Sequence, residues 1–152
     1  SFELAKWIQT ELEKDNTEEG KKLQKRFMFH DTNSRDLVLR QHTASKEPTI
    51  LVSPSMFVGV DLKDDLSRFQ IILKVPYPNL GGAKIKKRKD IYSAWYGWRT
   101  VADIVQSYGR SVRNMDDWAE TYILDAGFGN LMNYNGSFFP KYVKEAIVTI
   151  KL

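Results

Sequence analysis

The stretch IYSAWYGWRTVADIVQSYGRSVRNMDDWAETYILD, Ile91 to Asp125, decides the fold. In its first half Trp95, Trp98, Ala102 and Val105 recur at spacings of three and four, which predicts one long helix with those residues on its apolar face. Its last eight residues, WAETYILD (Trp118 to Asp125), predict a strand. Between them, Gln106, Arg110 and Arg113 fall at i, i+4 and i+7 and share one face if the helix persists. Gly109 costs about 1 kcal/mol relative to Ala inside a helix, so it marks a helix end or a close backbone approach. On spacing alone the arginines fit a solvated helix end, near the negative pole of the dipole, or a site for phosphate oxygens.

Working outward, the same alternation recurs. SFELAKWIQTELEK predicts an amphipathic helix with Leu4, Ile8 and Leu12 inward and Ser1 as N-cap. A helix at residue 1 carries the expectation that the chain is cut from a longer protein, with an upstream strand of its sheet missing or only partly present. DNTEEGKK lacks periodicity and predicts an exposed connection. RFMFH (Arg26 to His30), TILVS (Thr49 to Ser53) and RFQIILKV (Arg68 to Val75) predict three more strands, and SRDLVLRQH (Ser34 to His42) a helix between the first two. AKIKKRKD is a charged segment, and Pro140 predicts the start of a final helix, PKYVKEAIV. Strands with continuous apolar runs, separated by helices, imply an α/β domain around a mainly parallel sheet. At 152 residues the chain is the size of one domain.

Composition narrows the chemistry. Without cysteine there is no disulfide, thiolate metal site or cysteine nucleophile, and the chain is compatible with a cytoplasmic setting. No apolar run reaches the length of a membrane span. A net charge of +4 is a mild bias towards anionic partners. The string AKIKKRKD followed by Tyr92, Trp95, Tyr96 and Trp98 joins cations to aromatic surface, as single-stranded nucleic-acid sites do, although Trp95 and Trp98 also fit a core. His30 and His42 have no companion ligands in the sequence, so His30 reads as packing or a loop contact. Asp64–Asp65 and Asp116–Asp117 lack the strand-borne carboxylates of a metal nuclease, and no metal site is expected. No G-x-x-x-x-G-K-[ST] phosphate loop occurs anywhere, so the chain cannot bind and hydrolyse a nucleotide by that route alone.

In open parallel sheets ligands bind beyond the carboxyl ends of the strands. SPSMFVGVDL, which follows the Thr49–Ser53 strand, and KVPYPNL, ending the third strand, occupy such places. Gly59 permits positive φ or close approach, and Asp61 can accept from a sugar hydroxyl or hold an arginine, unless it caps a solvated acidic turn.

VSPSMFVGVDL, RFQIILKVPYPN, WYGWRTVADIVQSYGRSVRNMDD, TYILD and FFPKY follow one another in an order that resembles the second motor domain of superfamily 2 helicases, in particular the XPD/DinG-like branch. QSYGRSVR matches that branch's Q-x-x-G-R-x-x-R pattern. The resemblance covers nearly the whole chain. It implies a RecA-like three-layer domain with a mainly parallel central sheet flanked by helices. It further implies ATP and Mg2+ bound mainly by an N-terminal motor domain of the same protein, with single-stranded DNA as the track. Arg113 would then be an arginine finger towards the γ-phosphate, supported by Arg110, with Gln106 orienting the site. Such fingers contribute about 10³–10⁵ in rate. Gly59, Asp61 and Gly109 would lie on the nucleotide side, and Ser53, Ser55 and Lys74 on the DNA side. Many relatives carry an iron–sulfur cluster in the other domain, about which this chain says nothing. Phe57 and Val58 depart from the family's small hydroxyl residue and glutamate. That departure keeps open a non-catalytic nucleic-acid-binding or regulatory module of the same fold.

Overall fold

The computed structural model describes residues 1–56, 59, 60, 62, 64–109 and 117–150. They form two compact units, Ser1–Met56 and Phe57–Leu152.

The first unit opens with α1 (Phe2–Lys14), whose Ser1 cap accepts from the Leu4 amide at 3.3 Å. Ala5 is its buried residue, flanked by the half-buried Leu4, Ile8 and Leu12 that the periodicity turns inward. The DNTEEGKK stretch is not an open connection: α2 (Glu18–Gln24) occupies it. Capping and charge build this helix, which is too short to show an apolar period. Thr17 accepts from the Gly20 amide at 2.9 Å, Glu18 and Glu19 sit in the first turn, and Lys21 and Lys22 in the last. Gln24 then donates to the carbonyls of Leu12 and Asp15, tying the end of α2 to the end of α1.

β1 (Phe27–Phe29), α3 (Arg35–Ala44) and β2 (Ile50–Val52) follow as a strand–helix–strand unit. The strands pair in parallel, Phe27 opposite Ile50 and Phe29 opposite Val52. Asp31 starts α3 by accepting from the Ser34 hydroxyl and from the amides of Ser34 and Asn33, which together hold its carboxyl below the usual range. At the other end His42 Nδ1 meets Thr49 Oγ1 at 2.6 Å, joining α3 to the residue before β2.

The second unit repeats the parallel plan with a longer crossover. β3 (Phe69–Ile72) pairs with β4 (Glu120–Ile123), Phe69 opposite Glu120 and Ile72 opposite Ile123. Between them run α4 (Ala83–Ile91), which is the charged AKIKKRKD segment, and α5 (Ser93–Tyr108). α6 (Gly127–Asn135) and α7 (Lys141–Ala146) complete the unit, with Pro140 preceding α7 as its N-cap residue. The four expected strands thus pair two by two, within the α/β class of a RecA-like domain. No helix among the described residues is long and apolar enough to cross a membrane.

The core of this unit is Val75, Val101, Ile104, Leu131, Phe139 and Val143. α5 buries Gly97, Thr100, Val101 and Ile104, so its inward face is rotated from the one that Trp95, Trp98, Ala102 and Val105 predict. Val105 does pack against the core, but Trp98 is half exposed. Close approach explains the rotation. A Cβ at Gly97 would lie 2.2 Å from Asn135 on α6, and the buried Thr100 hydroxyl is satisfied by the Tyr96 carbonyl at 2.9 Å. Small residues therefore face α6, while the tryptophans keep one edge in water.

Candidate functional site

At the carboxyl ends of β1 and β2, two side chains foreseen in different roles meet. His30 is buried, and its Nδ1 lies 2.8 Å from the Asp31 carbonyl oxygen. A carbonyl only accepts, so Nδ1 carries the proton. In that neutral tautomer Nε2 accepts from the Ser53 hydroxyl, at 2.7 Å. Ser53 Oγ in turn accepts from the Ser55 amide at 3.2 Å. One directed chain of hydrogen bonds thus sets the turn after β2. Phe2 packs edge-on against the imidazole, its ring centre 6.0 Å away. The histidine read as packing or a loop contact is both, and its loop partner is Ser53. The Ser53 hydroxyl is engaged in this chain, which leaves the exposed Ser55 as the open hydroxyl of the turn.

Further on, Gly59 has φ of +80°, the left-handed conformation that glycine adopts without strain. Among the described residues nothing lies within 4 Å of where its Cβ would be, and the backbone conformation itself calls for glycine there. Asp61, Phe57 and Val58 lie outside the described residues.

The ends of β3 and β4 are joined differently. Lys74 is exposed just beyond β3. Asp125, just beyond β4, accepts from the Val75 amide and from the Gly127 amide, each at 2.8 Å. These backbone donors, with Lys74 nearby, hold its carboxyl below the ordinary range. One carboxylate therefore locks the two strand exits together and starts α6. Tyr77 stacks on Tyr96 with ring centres 5.7 Å apart, and Tyr96 donates its hydroxyl to the Pro78 carbonyl at 3.0 Å. α5 is thereby fastened to the Val75–Pro78 exit.

Asp117, the first described residue after the arginine segment, stands at the opposite, amino end of β4. Gln106 is exposed in the last turn of α5, and Gly109 is its C-cap, donating to Val105 O at 3.1 Å. Gly109 marks the helix end, with φ of −77°, a value open to any residue. Arg110 and Arg113 lie outside the described residues, which resume at Asp117. There Arg68, just before β3, pairs with the Asp117 carboxylate, donates to the Trp118 carbonyl at 2.7 Å and reaches Asp65 at 3.0 Å. Hydrogen bonds to Asp117 and Asp65 raise the guanidinium pKa further above its ordinary range. Its guanidinium also stands 5.3 Å from the Trp118 ring centre. Asp117, considered in sequence as half of a nuclease-like acidic pair, is committed to this arginine. The described residues flanking segment 110–116 are thus each fixed, one by a helix cap and one by an ion pair.

A family model described as the helicase C-terminal domain matches residues 1–146. The ATP-dependent DNA helicase CHL1 of Candida albicans is 29% identical over 115 residues, which is 64% of this chain and 13% of that protein. The ATP-dependent DNA helicase CHL1 of Vanderwaltozyma polyspora is 28% identical over 107 residues, 57% of this chain and again 13% of the relative. The chain therefore corresponds to a small share of each relative's length. With the match running across both units, and the series from VSPSMFVGVDL to FFPKY in its expected order, this chain belongs to the helicase C-terminal domain family.

Proposed function

We propose that the chain is the C-terminal motor domain of an ATP-dependent DNA helicase and is inactive by itself. The observation that carries this reading is the family match over residues 1–146, within which the QSYGRSVR motif begins at Gln106 in the last turn of α5. The names of the two relatives support both the nucleotide and the nucleic acid. ATP with Mg2+ is the substrate, held mainly by an N-terminal motor domain that supplies the phosphate loop this sequence lacks. Across that interface Arg113 neutralises charge developing on the γ-phosphate, Arg110 supports it and Gln106 orients the site. Gln106 suits the role in being exposed, and Gly59 offers a positive-φ turn that can approach a phosphate closely. Gly109 and Asp61 complete the nucleotide side.

Ser53, Ser55 and Lys74 each serve as a contact to single-stranded DNA. All three stand just past the carboxyl ends of strands, where open α/β sheets bind ligands. Because the Ser53 hydroxyl is held by His30 and the Ser55 amide by Ser53 Oγ, the Ser55 hydroxyl is the group left to meet phosphate. The protein works where DNA is, in the cytoplasm or a nucleus.

The test is ATP turnover by the full-length protein and by the 152-residue chain, each with and without single-stranded DNA. Turnover confined to the full-length protein and stimulated by DNA is expected. Phe57 and Val58 favour a second reading, a non-catalytic DNA-binding module. A full-length protein that binds DNA and hydrolyses no ATP would establish that alternative.

A further inference from the structure

α4 is a helix that neither burial nor capping explains. Five of its nine residues are cations, Lys84, Lys86, Lys87, Arg88 and Lys89, against the single acid Asp90. None of the nine is buried, and Gly82 at the N-cap offers no side-chain hydrogen bond. Like charges three and four apart, such as Lys84 with Lys87 and Arg88, oppose helix formation. Two of the cations have partners on α5: Arg88 stands 4.6 Å from the Trp95 ring centre, and Lys89 stands 5.1 Å from that of Tyr96. These contacts dock α4 on α5. No ion pair among the described residues holds Lys84, Lys86 or Lys87, and all three are exposed.

Aromatic surface adjoins this charge. Tyr92, between α4 and α5, is 65% exposed, and Tyr77, stacked on Tyr96, is 41% exposed. Cations for a phosphate backbone beside ring faces for unpaired bases are the two components of a single-strand site. A duplex hides its base faces, so exposed ring faces beside the cations favour an unpaired strand.

We propose that α4 and the Tyr92 junction form a second single-stranded DNA contact, distinct from Ser53, Ser55 and Lys74, with Lys84, Lys86 and Lys87 on phosphates and Tyr92 stacked on a base. It rests on the motor-domain reading only for the identity of the polymer. It also gives α4 a reason for retaining cations that its own helix does not need.

The test uses the full-length protein and a fluorescent oligothymidine, with anisotropy read across a salt series. The variant K84Q/K86Q/K87Q is expected to flatten the plot of log affinity against log salt by about 2, three contacts at about 0.7 each. K84R/K86R/K87R should keep the wild-type slope. Tyr92→Ala should weaken single-strand binding roughly five- to a hundredfold and leave binding of a blunt duplex unchanged. A glutamine variant with the wild-type slope overturns the proposal, and is the result an acidic protein partner would give. Equal losses on duplex and single strand, with Tyr92→Ala silent, overturn the single-strand assignment. Circular dichroism checks that each variant is folded. The two readings fail separately: a wild-type protein without ATP turnover removes the motor assignment and leaves this binding assay intact.

Discussion

Arg68 and Asp117 are 49 residues apart in sequence, yet their ion pair joins the starts of two neighbouring parallel strands. The Asp117 side chain is only 3% exposed, so the carboxylate relies on its guanidinium partner for the solvation it has lost. Arg68→Ala is therefore expected to lower the urea midpoint of the chain. The loss in the double variant with Asp117→Asn should be smaller than the sum of the single losses. The same substitution should reduce ATP turnover in the full-length protein, because Asp117 follows directly on the segment that carries Arg110 and Arg113. Additive losses in the cycle would show that the pair does not act as a unit.

His30 carries a second prediction. Removing the imidazole leaves the Ser53 hydroxyl without its acceptor and opens the space against Phe2. His30→Ala should cost about 1–3 kcal/mol by urea denaturation, the range for an unmet buried hydrogen bond. Ser53→Ala in that background should add little, since its hydrogen bond is already gone. Full independent costs for both would contradict the directed chain from Ser55 to Asp31.

Asp125 makes the stability depend on pH, with a definite sign. Its two backbone donors lower the folded-state pKa below the ordinary 3.8. A depressed carboxyl stabilises the fold above the unfolded value, and that contribution is lost as pH falls through the folded one. Asp125→Ala should therefore cost about 1–2 kcal/mol at neutral pH through the lost tie and cap. The gap between variant and wild type should close below pH 3.8. Urea midpoints measured across this range check it, and a gap constant with pH would refute the assignment.

Gly97 tests the α5–α6 approach. An added methyl would fall 2.2 Å from the Asn135 side chain, so Gly97→Ala should destabilise by about 1–3 kcal/mol, despite alanine's better helix propensity. Asn135→Ala should restore much of the loss by vacating the space. A stabilised single variant would mean that Asn135 yields freely.

These relationships mark where the sequence was legible. The four strands and the helices α1, α3 and α5 follow from apolar period and flanking turn residues, which are local signals. α2 and α6 carry little period: EEGKKLQ is set by Thr17 and by charge at its ends, and GFGNLMNYN by the turn that Asp125 closes. The inward face of α5 was misplaced because hydrophobicity points to Trp95 and Trp98, whereas steric fit selects Gly97 and Thr100. Arg88 covers Trp95 from outside, which lets that ring remain half-buried without entering the core. His30–Ser53 and Arg68–Asp117 depend on strand register, which relates residues 23 and 49 positions apart. Composition and spacing hold no trace of such pairs. The arginines themselves were legible only as a motif, since a face of three polar residues fits a solvated helix end just as well.

The central claim, that QSYGRSVR is half of an ATP site completed by another domain, meets its most direct test at Arg113. In the full-length protein, Arg113→Ala should lower DNA-stimulated ATP turnover by about 10³ or more, the range for a missing arginine finger. The circular dichroism spectrum should be unchanged and ATP still bound. Turnover within a few-fold of wild type would contradict the account.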